Sequence, residues 1–219
     1  HVSRNGHVYA MDRETGDFLW AGEYTRVNWA LRDESGKPVL KEELYNPAST
    51  VVFPGIFGGK NWPPASYSPD THMLYIPTTE WGTTFIRREG EGRPGTMYLG
   101  GIPRFEPSGT GYLVAFNMLT GEIEWQEETP GNFNWAGTLT TGGGLVFSGA
   151  ADGYLRAYND ETGEVLWEFQ TGSGLYAPPT SFTIDGVQYI GIASGTRNPV
   201  TRAGVATGIA PGNYILFSL

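Results

Sequence analysis

Three short clusters hold the side chains best suited to chemistry: Arg4-Asn5, Lys60-Asn61-Trp62 and Asn134-Trp135-Ala136-Gly137. An arginine presents a charged, planar fork of donors to oxygen acceptors. Asparagine both donates and accepts, and tryptophan adds a flat apolar face with one N–H. Brought together, these groups suit a flat, anionic ligand rich in carbonyl oxygens. Each also has an ordinary structural use: Trp62 can wedge the Pro63-Pro64 turn, and asparagines commonly satisfy turns.

Other chemistries are poorly provided for. The chain has no cysteine and three histidines, His1, His7 and His72, which removes thiolate nucleophiles and disulfides and disfavours a histidine metal cluster. Neither a GxxxxGK[ST] phosphate cradle, an HExxH zinc motif nor a G-x-S-x-G elbow occurs. Gly58-Gly59 precedes Lys60, but Asn61-Trp62-Pro63-Pro64 cannot open the helix that a phosphate loop requires. A formal charge of −9 with 14 Lys and Arg argues against nucleic acid, whose backbone demands clustered cations. No apolar run approaches the ~18 residues of a transmembrane helix.

The elements that must position these clusters are announced by a repeat. Gly6–Trp20, Gly111–Trp125 and Gly153–Trp167 share one pattern: an extended segment, a Thr-Gly turn and a second extended segment carrying Trp. Ala10, Ala115 and Ala157 fall in register, and Asp12, Asn117 and Asn159 follow two places on. Glycine at 16, 121 and 163 can take positive φ, while the Asp or Asn side chain can bond the turn's N–H groups. The later two copies are spaced by one ~40–45-residue blade period. More than two periods separate the first two, so unmarked strands or an insertion lie between. Trp20, Trp125 and Trp167 are read as packing between blades.

The rest of the 219 residues, with 32 Gly, 15 Pro and 14% aromatics, reads as further strands and turns. Asp33–Gly36 is a turn within a polar connection over 21–50, and 82–110 is a surface excursion. Asp185-Gly186 marks a hairpin between Phe182–Ile184 and Val187–Ile190. A polar loop spans 195–212 before a closing strand at Tyr214–Phe217. The fold expected is all-β, a β-propeller of four-stranded antiparallel blades, with four or five blades' worth of chain. Because it opens within a repeat and without an initiator Met, the polypeptide is expected to continue upstream.

The repeat, Arg4-Asn5-Gly6, Gly59–Pro69, Trp135–Leu139, Asp152–Ala157 and Gly172–Pro179 together resemble the quinoprotein alcohol dehydrogenases. The resemblance runs the length of the chain and implies that residues 1–219 form a single partial domain, roughly the C-terminal half of an eight-bladed ring. It implies a periplasmic enzyme that binds pyrroloquinoline quinone with a calcium or lanthanide ion. Such an enzyme oxidises a primary alcohol to an aldehyde and passes electrons to a cytochrome c. By the same resemblance Arg4 stabilises the quinone oxygens, and Asn61, Trp62 and Trp135 contact the cofactor. The resemblance implies that the catalytic Asp and the metal ligands lie upstream; Asp12, Asp70 and Asp152, each in a turn motif, are not assigned as the base. The isolated chain is therefore expected to be inactive, and to associate with a missing propeller half or with itself. The alternative is a non-catalytic propeller scaffold of the same repeat family, acting in protein binding of the outer-membrane assembly type. A third reading is a small self-contained propeller that binds a ligand without redox chemistry.

Overall fold

A computed structural model describes residues 1–42, 50–87, 90, 92–98, 101–195 and 212–218. Each repeat folds into an antiparallel strand pair in which the small Ala faces the large Trp: Ala10 opposite Trp20, Ala115 opposite Trp125, Ala157 opposite Trp167. A one-residue register shift follows the Ala in all three pairs, the local bend and added twist of a β-bulge. The turns repeat atom for atom. Oδ1 of Asp12, Asn117 and Asn159 accepts the N–H groups two and three residues on, at 2.8–3.2 Å. Gly16, Gly121 and Gly163 close the turns at φ 78°, 76° and 77°.

In chain order, β1 (His7–Met11) and β2 (Phe18–Glu23) make a two-stranded sheet, and β3 (Ala30–Arg32) pairs with β4 (Pro38–Leu40) around the expected Asp33–Gly36 turn. After β5 (Val51–Val52) come β6 (Ser66–Ser68), β7 (Met73–Glu80), β8 (Thr83–Arg87), β9 (Gly101–Phe105), β10 (Thr110–Asn117) and β11 (Glu122–Thr129). The first complete blade is β6-β7-β10-β11, with β5-β8-β9 as a separate sheet. A second complete blade is β12 (Thr138–Thr141), β13 (Leu145–Gly149), β14 (Tyr154–Asn159) and β15 (Val165–Gln170). Finally β16 (Thr180–Ile184), β17 (Val187–Ser194) and β18 (Asn213–Ser218) form a three-stranded sheet. Asp185 and Gly186, at φ 50° and 83°, make the β16–β17 hairpin.

Packing between sheets settles the long gap between the first two repeats in favour of an insertion. Val8 and Tyr24, from and just after the β1–β2 pair, share a buried cluster with Ile76, Val114 and Phe116 of the first complete blade. Trp20 stacks on Phe116 with ring centroids 6.2 Å apart. The Trp125 indole donates to the Asp160 carbonyl of the next blade at 3.1 Å, and Tyr75 Oη donates to the same carbonyl at 2.9 Å. Trp167 meets Phe217 edge-on at 5.1 Å. All three tryptophans thus pack between neighbouring sheets. The 82–110 stretch is more anchored than a surface excursion, because β8 pairs with both β5 and β9 and Trp81 and Thr83 are buried. Most of the 195–212 loop lies outside the described residues.

Candidate functional site

The site clusters lie in segments that interrupt the repeat, and the loop from Gly55 to Trp62 holds them together. Two glycines let it approach the chain around Arg4. A Cβ at Gly58 would stand 2.9 Å from both Cβ and the carbonyl oxygen of Arg4, closer than real Cβ atoms come. Gly58 also has φ +76°. The Gly59 N–H then donates to the Arg4 carbonyl at 2.9 Å, and the Gly59 carbonyl accepts the Thr79 N–H. Thr79 is buried, and its Oγ1 accepts the Asn134 N–H at 3.3 Å. A short chain of hydrogen bonds therefore runs from Arg4 through Gly59 and Thr79 to Asn134, beside Trp135.

Arg4 is exposed and its Nη2 donates to the Ile56 carbonyl at 2.7 Å, which leaves the remaining guanidinium donors available. It lines an open pocket of about 520 Å³ with Asn5, Trp29, Gly55, Ile56 and Gly58. Trp29 is fixed there by its indole N–H, which donates to the Asn5 carbonyl at 2.8 Å. Asn61 donates through Nδ2 to the Phe57 carbonyl and accepts the Trp62 N–H at Oδ1, both at 2.9 Å. One amide hydrogen and one lone pair of Asn61 stay free. Trp62 is 58% exposed. Of the residues in the three sequence clusters, Arg4 and Asn5 line the 520 Å³ pocket and Asn61, Trp62 and Trp135 do not; Asn61 and Trp135 reach the same loop through Phe57.

Trp135 sits against Phe133 (centroids 4.9 Å) and edge-on to Phe57 (5.9 Å). Asn134 frames its backbone, donating from Nδ2 to the Tyr112 carbonyl and accepting the Ala136 N–H at Oδ1. Trp135 Nε1 is buried without a hydrogen-bond partner. An orphaned buried donor costs about 1–3 kcal/mol, so it is a natural place for a ligand acceptor. Lys60, half-buried, donates to the Asn61 carbonyl at 3.1 Å, and burial holds its pKa below the usual lysine range. Among the described residues no carboxylate pairs with Arg4 or Lys60. Lys60 lines a different pocket from Arg4, with His1, Ala65 and Tyr67. The free Arg4 donors and the orphaned Trp135 indole N–H, in a chain of net charge −9, have the chemistry to receive an anionic, carbonyl-bearing ligand. Sequence reasoning passed over Tyr24, Trp29, Phe57 and Thr79, which carry this geometry; the Gly58-Gly59 pair was the available signal of a close approach.

A family model described as "Glucose/ethanol/alcohol dehydrogenase, beta-propeller domain", of the PQQ type, matches residues 93–190. Over 155 residues the chain is 38% identical to a quinoprotein ethanol dehydrogenase of Pseudomonas putida, covering 63% of this chain and 24% of that protein. A europium-containing methanol dehydrogenase superposes with a TM-score of 0.83 at 27% identity, over 99% of this chain and 44% of the other. By sequence and by fold the chain is related to the PQQ-dependent alcohol dehydrogenases. Another relative, lupanine 17-hydroxylase [cytochrome c] of a Pseudomonas species, is 36% identical over 130 residues, 56% of this chain and 19% of that protein. The chain spans about a quarter of the length of the quinoprotein ethanol dehydrogenase. The quinoprotein β-propeller is the fold these matches share with the sheets described above.

Proposed function

We propose that this chain is part of a quinoprotein β-propeller that oxidises a primary alcohol to an aldehyde, with Arg4, Asn61, Trp62 and Trp135 facing pyrroloquinoline quinone. The observation that carries the reading is the pairing of unshared donors at Arg4 and Trp135 with a backbone network that fixes their separation. When bound, the quinone supplies a two-electron acceptor for the alcohol's hydride. Arg4 would hold donors against its oxygens, where negative charge grows on reduction, and preorganised donors act most strongly at such a position. Asn61 would orient the ligand with its free amide hydrogen, and the Trp135 indole would satisfy its orphaned N–H on a ligand oxygen.

The proton acceptor for the alcohol is not assigned to an Asp of this chain. Asp12 binds its own turn, Asp152 is paired with Arg156 at 2.6 Å, and Asp70 is exposed within the β6–β7 turn. Among the described residues no three His, Asp or Glu side chains gather as metal ligands. We place the base and the calcium or lanthanide ligands in the part of the propeller that the chain's share of its relatives leaves out. The four blade-like sheets then form a partial single domain of a periplasmic protein whose electrons pass to a cytochrome c.

The test is a titration of the purified protein with pyrroloquinoline quinone, followed by the cofactor's absorbance, alongside Arg4→Ala. Saturable uptake that falls at least tenfold in Arg4→Ala is expected, since a charge-assisted hydrogen bond is worth about 1.5–3 kcal/mol. Equal uptake by both proteins would refute the assignment of Arg4.

A further inference from the structure

We propose that Tyr24 is a positioning residue for Arg4: its phenol oxygen pins the backbone that leads into Arg4 against the Gly59-Lys60 loop. Tyr24 follows β2 and is fully buried in the cluster of Val8, Ile76, Val114 and Phe116. Its own N–H donates to the Gly6 carbonyl at 3.0 Å, and its hydroxyl donates to the Ser3 carbonyl at 2.6 Å. The residue after Ser3 is Arg4, so one tyrosine grips the arm on both sides of the guanidinium-bearing residue.

The loop closes on the other side of the same oxygen. A Cβ on Gly59 would stand 2.8 Å from Tyr24 Oη and 2.7 Å from Thr25 Cγ2. Burial raises the Tyr24 pKa above the ordinary phenol value, and the Lys60 backbone N–H and the Arg4 charge only partly oppose it, so the hydroxyl remains a donor across the neutral range. The apolar cluster needs only the ring, which phenylalanine would fill equally well. What the hydroxyl adds is its bond to the Arg4 arm.

The inference rests on the quinone reading, and its test separates the two. In the quinone-loaded full protein, Tyr24→Phe is expected to weaken quinone binding about three- to tenfold, the worth of one buried hydrogen bond, with the alcohol KM unchanged. In an Arg4→Ala background the same substitution is expected to add no further loss, whereas a merely structural role would add its full effect. Unaltered quinone affinity in Tyr24→Phe, or additive losses, would overturn the proposal. A second readout needs no quinone: the rate at which phenylglyoxal modifies Arg4, followed by mass spectrometry, is expected to change at least threefold in Tyr24→Phe. If the wild type takes up no quinone, the functional reading fails and this rate alone decides the positioning role. Should Tyr24→Phe not fold, Gly59→Ala, which forces the loop off the phenol, is expected to give the same changes, and wild-type behaviour in that variant overturns the inference.

Discussion

The three equivalent turn glycines offer a way to separate backbone conformation from packing between blades. Gly16, Gly121 and Gly163 have nearly the same φ, 78°, 76° and 77°, so replacing any of them by Ala forces an L-residue into the left-handed region at about 1–2 kcal/mol. Their surroundings differ. A Cβ on Gly16 meets nothing within 4 Å, one on Gly121 lies 3.9 Å from the Trp20 ring, and one on Gly163 falls 2.8 Å from Cε3 of Trp125. The Trp125 ring cannot easily retreat, because its indole N–H is bonded to the Asp160 carbonyl at 3.1 Å. Overpacking of this kind costs a further ~1–3 kcal/mol. Gly16→Ala and Gly121→Ala should therefore each lose about 1–2 kcal/mol, and Gly163→Ala about 2–5 kcal/mol. Equilibrium urea unfolding of the three variants, compared at constant slope, measures the difference. In a Trp125→Ala background, the further loss caused by Gly163→Ala should shrink to the ~1–2 kcal/mol of the other two positions, because the clash is gone. Equal losses at positions 16 and 163 would refute the claim that Trp125 is seated on the neighbouring blade's turn.

His7 is fully buried, and neither ring nitrogen has a hydrogen-bond partner, Glu23 Oε1 standing 3.8 Å from Nε2; burial, helped by the charge of Arg32, lowers its pKa to about 4. An unfolded His titrates near 6.5, so its contribution is complete above that pH and is lost as the pH falls toward 4, by about 3 kcal/mol; His7→Phe should flatten the urea midpoint over this window relative to wild type, and an unchanged slope would count against it. Trp135→Phe removes an orphaned donor, so the quinone-free protein should lose less than the ~3–5 kcal/mol of an ordinary large aromatic deletion while quinone affinity drops severalfold. Calorimetry of the free protein and absorbance titration of the quinone test the two halves, and undiminished affinity would show that the indole N–H is not used.

The blades were legible because their information is local. Ala10 opposite Trp20, the Asp12 side chain on its own turn and Gly16 at positive φ all lie within one repeat, and the same holds for the other two copies. The sheet β5-β8-β9 was not, since Val51 and Val52 pair with Thr84 and Thr83 across a long separation and those residues carry no special turn chemistry. At the site, Arg4, Asn61 and Trp135 stood out by residue type. The links between them did not, because they pass through backbone groups of Ile56, Phe57 and Gly59, which every sequence possesses. Tyr24 looks like any core aromatic until its hydroxyl is seen to reach Ser3.

The site's dependence on backbone links gives the repeat a second role. Gly59 bonds Arg4, just ahead of β1, with one backbone group and Thr79, in β7 of the next blade, with the other. The spacing between Arg4 and the Asn134-Trp135 cluster is thus set by how those two sheets sit against each other. That relation is fixed by Trp20 on Phe116 and by the buried cluster that includes Tyr24. Close-packed interiors transmit small displacements, so a change at a blade contact that never touches ligand would still move Arg4 relative to Trp135. Ligand-facing groups placed on a loop clamped between two blades inherit the rigidity of both. The interrupting loop thereby takes its register from the blades on either side, with Gly58 and Gly59 as the positions where it must come closest to the Arg4 arm.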